Sequence, residues 1–100
     1  MKRLLLAIAA TLVAGTVNAG LPLFAAKCPT GITADSNTKG QVYINGKLAR
    51  VIKRPDGQYS ANSHGVWVDI TPQGDQMPRV TYTAKDKSTG DCEVLSFKAP

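Results

Sequence analysis

Gln41-Val42-Tyr43-Ile44-Asn45-Gly46-Lys47-Leu48-Ala49-Arg50-Val51-Ile52-Lys53 is the stretch on which the fold turns. Two runs of strand-forming side chains flank Asn45-Gly46, and a two-residue type I′ hairpin needs positive φ at both central positions, which Asn and Gly tolerate. The turn sets the register. Ile44 should face Lys47, Tyr43 should face Leu48, Val42 should face Ala49 and Gln41 should face Arg50.

The same grammar continues toward the C-terminus. Arg54-Pro55-Asp56-Gly57 places proline at the first corner of a type I turn and glycine at its exit, predicting a second hairpin with a short return strand over Gln58 to Ala61. Asn62-Ser63-His64-Gly65 is turn-rich. Val66 to Thr71 then alternates, with Val66, Val68 and Ile70 on a core face and Trp67, Asp69 and Thr71 on the other. Pro72 to Pro78 reads as a polar loop, and Arg79 to Lys85 alternates again, with Val80, Tyr82 and Ala84 opposite Thr81, Thr83 and Lys85. Asp86-Lys87-Ser88-Thr89-Gly90 is a further turn, and Asp91 to Phe97 is the last strand. About six strands joined by short loops predict antiparallel neighbours, since a parallel crossover needs about a dozen residues. The expected fold is all-β: a small antiparallel meander forming a sandwich or partly closed barrel, with no helix beyond the leader.

Toward the N-terminus, Gly20 to Lys39 has no apolar period and is rich in turn residues. Residues 20–40 are therefore expected to form an irregular arm on a β domain spanning 41–100. Ahead of the arm, Met1-Lys2-Arg3 precedes an apolar run from Leu4 to Val17, and small residues at Val17 and Ala19 fit a signal-peptidase site. The run has 14 residues, and a bilayer-spanning helix needs about 20. Residues 1–19 are thus expected to be a cleaved signal helix, with the exported chain beginning at Gly20 and residing in the periplasm or the medium. Lys27 directly before Cys28 argues against a lipid-attachment site.

Without that leader the chain carries ten basic side chains against seven acidic ones. An excess this mild lends little support to nucleic-acid binding, which calls for clustered cations. Cys28 and Cys92 are the only cysteines. In a small exported chain an even count predicts a disulfide, which should tie the arm to the last strand. With His64 as the sole histidine, a zinc site of four ligands has no donor set, and no metal or cofactor is expected. No Gly-rich phosphate loop with its lysine and hydroxyl occurs, so no nucleotide is expected either.

Ser63-His64 invites a nucleophile-and-base reading, but adjacent residues on an extended chain point opposite ways and should not meet. The acids, six of them aspartates, fall mostly in turns that favour aspartate structurally, Asp69 and Glu93 excepted. No catalytic constellation is visible, and the protein is not expected to be an enzyme.

Two surfaces remain as candidate binding sites. Lys47, Arg50, Lys53 and Arg54 are the densest basic stretch, and strand parity puts Lys47 and Lys53 on one face and Arg50 and Arg54 on the other. They suit edge-strand protection or an anionic partner such as lipopolysaccharide, nucleic acid or protein. The second surface is Trp67 with Asp69, joined by Thr81 and Thr83 if the two alternating strands pair. A core this small needs its large aromatics, however, which favours an arm or second sheet covering Trp67. The expected function is a non-enzymatic binding module for an envelope protein or an anionic surface polymer. The alternatives are a small secreted hydrolase, in which His64 or an acid would be essential, and a self-assembling structural envelope protein.

Overall fold

The computed structural model describes residues 21–99, so the expected leader over 1–19 lies outside the described residues. The described chain is all-β apart from one short 3-10 turn, Pro29–Gly31. Its strands are β1 (Leu23–Lys27), β2 (Thr33–Ser36), β3 (Val42–Ile44), β4 (Lys47–Leu48), β5 (Arg50–Lys53), β6 (Tyr59–Ser63), β7 (Val66–Gln73), β8 (Gln76–Thr83), β9 (Thr89–Asp91) and β10 (Glu93–Lys98). They form two five-stranded antiparallel sheets, ordered β10-β1-β2-β3-β4 and β5-β6-β7-β8-β9. Two chain segments cross between the sheets. β4 runs into β5 through Ala49, and β9 runs into β10 through Cys92. The chain thus passes from one sheet to the other at both segments, and β10 completes the first sheet by pairing with β1.

Both corners have local causes. Ala49 N–H still donates to Val42 O at 2.8 Å, but the expected Gln41–Arg50 pair does not form. Gln41 is held in its own turn, its N–H bonded to Asn37 Oδ1 and its carbonyl to Asn37 N–H. Arg50 pairs with Asn62 in the other sheet instead. At the second corner, Cys92 N–H donates to Val80 O at 2.8 Å. The next hydrogen-bonded position on β8 is Pro78, which has no N–H to give, so β10 leaves β8 and joins β1.

The expected irregular arm over 20–40 is a correction: β1 and β2 lie within it. β1 pairs with both β10 and β2, and Phe24, Ala26 and Ala34 from these strands are buried. The expected six strands become ten because the arm supplies two and each crossing segment divides. Pro72–Pro78 is likewise no loop. β7 and β8 pair out to Gln73 and Gln76 around Gly74-Asp75, with a register shift between Thr71 and Gln73 at Pro72. The Asn45-Gly46 hairpin has the expected register, Ile44 with Lys47 and Tyr43 with Leu48, and both turn residues have positive φ, 54° and 80°.

Inner-face residues fill the space between the sheets. Phe24, Val42 and Ile44 from one side meet Tyr59, Val66, Val68, Ile70, Val80 and Tyr82 from the other. Apolar area removed from water at this interface is the main stabilising term, at about 25 cal/mol per Å². The Cys28–Cys92 disulfide forms as expected.

Candidate functional site

The outer face of the β5–β9 sheet is built from alternate residues of five strands. Cross-strand pairing aligns Arg50, Asn62, Trp67, Thr83 and Thr89 in one row, and Ile52, Ser60, Asp69, Thr81 and Asp91 in the next. At about 4.8 Å per strand each row spans roughly 19 Å. Trp67 occupies the middle of its row. It is half-buried and lies outside the core cluster, and the N-terminal segment that was to cover it belongs to the other sheet. The core expectation for Trp67 is therefore corrected, because Phe24, Tyr59 and Tyr82 supply the buried aromatic volume.

Ser60 is the least exposed polar residue of this face. It is completely buried although its strand position points outward. Arg54 reaches across it: its Nε–H donates to Ser60 Oγ at 2.6 Å, and the Ser60 hydroxyl donates to Asp69 Oδ1 at 2.7 Å. The hydroxyl is satisfied in both directions, as a buried polar group must be. Asp69 is linked through it to a guanidinium. Asp91 is engaged differently, by Arg79 at 3.4 Å in an exposed ion pair, the one salt bridge among the described residues. Both acids of the face thus have a cation, and Arg50, next to Asn62 and one strand further from Trp67, has no carboxylate of the described residues within ion-pair distance.

The structure gathers six of the eight proposed binding residues on this face: Trp67, Asp69, Thr81, Thr83, Arg50 and Arg54. Lys47 and Lys53 are not among them. They pair with the core residues Ile44 and Tyr59, which puts them at strand ends on the opposite parity. Comparison of the chain with protein-family models, curated proteins and solved structures finds no match.

Sequence reasoning missed Ser60 and Asn62. The sequence places Ser60 only in a short return strand, and Asn62 in a turn. β6 in fact runs to Ser63, and the hairpin is the two-residue His64-Gly65 turn, with φ of 52° and 83°. This also corrects the expectation that Ser63 and His64 cannot meet. Because His64 is left-handed rather than extended, Ser63 Oγ and His64 Nδ1 lie 2.9 Å apart. The Ser63 side of the pair is buried, at 7% exposure. No cluster of three metal-ligating side chains occurs among the described residues, and none of their helices is long and apolar enough to cross a membrane.

Proposed function

We propose that this protein is an exported, non-enzymatic binding module that meets an envelope partner with the outer face of its β5–β9 sheet. The observation that carries this reading is Trp67, an outward indole at the centre of a row otherwise made of Arg50, Asn62, Thr83 and Thr89. A large aromatic beside rigid polar groups is the composition of an interface anchor. The Arg54–Ser60–Asp69 chain holds the second row still, which limits the ordering cost of association. A disulfide-closed chain suits an oxidising compartment.

The test is retention of the purified protein on isolated envelope fractions. Trp67→Ala and Asn62→Ala should each reduce retention, while Leu95→Ala, exposed on β10 of the other sheet, should not. Equal retention of all three variants would remove the β5–β9 face from consideration.

A further inference from the structure

Where the Asn45-Gly46 and His64-Gly65 hairpins meet the end of β8, a cleft of about 250 Å³ opens over Ile44 and Val66. Its polar lining is Asn45, Lys47, Ser63, His64 and Lys85, drawn from two hairpin tips and β8's continuation. No carboxylate lies among the described residues lining it. The nearest acid in sequence, Asp86, is turned into its own loop, where its Oδ1 accepts the Ser88 hydroxyl at 2.7 Å and the Ser88 N–H at 3.0 Å.

The lining groups are positioned as well as present. Asn45 Oδ1 accepts the Thr33 N–H at 3.0 Å, which leaves the side-chain NH2 as the free donor. Ser63 Oγ lies 2.9 Å from His64 Nδ1, and in the tautomer where the hydroxyl donates, the imidazole carries its proton on Nε2, another donor. His64 holds a positive φ that Asn fills in the equivalent 45–46 turn, a backbone state that costs a side-chain-bearing residue energy. Gly65 matters in a second way, since a Cβ there would stand 3.1 Å from Lys85 Cγ. Its bare backbone lets the lysine stem lie across the hairpin tip and brings the ammonium group to the cleft.

We infer that this cleft binds the phosphate group of a phosphate monoester, with Lys47 and Lys85 supplying charge and Asn45 and His64 supplying directed N–H donors. Donors drawn from three separate segments, the two hairpin tips and the chain after β8, suit a tetrahedral group with several oxygens better than a planar carboxylate, and cations are the natural partners of its charge. The site does not draw on Trp67 and stands or fails independently of it. The phosphate can be free or borne by a lipid headgroup, and the cleft's open mouth admits either.

The experiment titrates the exported protein with inorganic phosphate at low ionic strength and follows the His64 ring and lysine NH3 signals by NMR. Saturable shifts at Lys47, His64 and Lys85 are expected. The Lys47→Gln/Lys85→Gln variant should weaken binding by about tenfold or more, because two charge-assisted contacts are lost. Lys53→Gln, at the opposite strand end, should leave it unchanged. Gly65→Ala should weaken binding by displacing Lys85. Shifts that rise linearly without saturation, or an equal loss in Lys53→Gln, would overturn the site. Vesicles of phosphatidylcholine with and without a phosphomonoester lipid distinguish the source. Retention only on the latter, competed by phosphate, assigns the lipid-borne group; saturable phosphate binding without vesicle retention assigns the free one.

Discussion

Cys28 and Cys92 stand opposite each other one step beyond the last β1–β10 pair, Lys27 with Glu93, so the disulfide prolongs that ladder. Cys92 is also the corner at which β9 becomes β10. One covalent bond therefore fixes both the seam and the sheet-to-sheet crossing. It joins residues 64 apart in sequence, and chain-entropy arguments assign such a closure about 4 kcal/mol. Cys28→Ala/Cys92→Ala should lose stability of that order in urea unfolding. It should also raise hydrogen exchange first in β1 and β10. A loss below about 1 kcal/mol would mean that strand pairing alone holds the seam.

Arg54 and Asp69 should communicate through the hydroxyl between them. Ser60→Ala removes a buried bridge and should cost about 1–3 kcal/mol. A double-mutant cycle of Arg54→Ala and Asp69→Ala should give a coupling of about 0.5–1 kcal/mol, modest because Arg54 is exposed. In the Ser60→Ala background the coupling should vanish. Persistence at full size would show a direct ionic interaction instead.

The turn pattern yields a stabilising substitution. Asn37–Gln41, Arg54–Gln58 and Ala84–Ser88 share the same two backbone hydrogen bonds, and their fourth residues have positive φ: Gly40 at 78°, Gly57 at 89° and Lys87 at 74°. Only the last carries a side chain. A left-handed non-glycine residue costs about 1–2 kcal/mol, partly offset by the greater unfolded-state freedom of glycine. Lys87→Gly should therefore raise stability by about 0.5–1 kcal/mol, measurable as a higher urea midpoint at unchanged slope.

In the same turn the Ser88 hydroxyl, with the Ser88 amide, holds the Asp86 carboxyl below its ordinary value of 3.8. The unfolded chain binds this proton more readily than the folded one. The contribution is therefore present above the unfolded value and is lost as pH falls through the lower folded value. NMR titration should find the Asp86 midpoint below 3.8, and Ser88→Ala should move it upward. An unmoved midpoint would show that the hydroxyl does not act on the carboxyl.

What the sequence made legible follows from where periodicity is enforced. Val66–Thr71 and Arg79–Thr83 have one face against the core and one toward water, and their alternation survives in the structure, whereas Ala84 and Lys85, expected in the same strand, belong to the following turn. Asn45-Gly46 is legible because backbone sterics dictate it locally. β1 and β2 are not. They are five and four residues long, and β1 is held by a partner some seventy positions away, so no local signal marks them. The break at Ala49 is invisible for a related reason: strand chemistry is continuous from Lys47 to Lys53, and the break comes from Gln41 being engaged in its own turn. The candidate face was legible by parity through Trp67, Asp69, Thr81, Thr83, Arg50 and Arg54. Its Ser60 bridge was not, because parity predicts an outward position and cannot foresee a guanidinium laid over it.

Trp67 provides the sharpest test of how the molecule is used. Its row neighbours, Asn62 and Thr83, are polar, so its emission should be red-shifted relative to a core indole and quenched by acrylamide. Truncating a fully buried tryptophan costs about 3–5 kcal/mol. Half-buried, Trp67→Ala should cost about 1–2 kcal/mol, in proportion to the area removed from water. Binding should respond in the opposite proportion, since an anchor can hold much of an interface's energy while contributing little to folding. Envelope retention should therefore fall steeply in Trp67→Ala while the urea midpoint moves slightly. Arg50→Ala, in the same row and free of a carboxylate, should weaken retention more at low salt than at high, because exposed charge is screened beyond about 10 Å at 0.1 M. A blue-shifted, unquenched Trp67 whose loss unfolds the protein would return this residue to the core. The binding face would then lose its anchor.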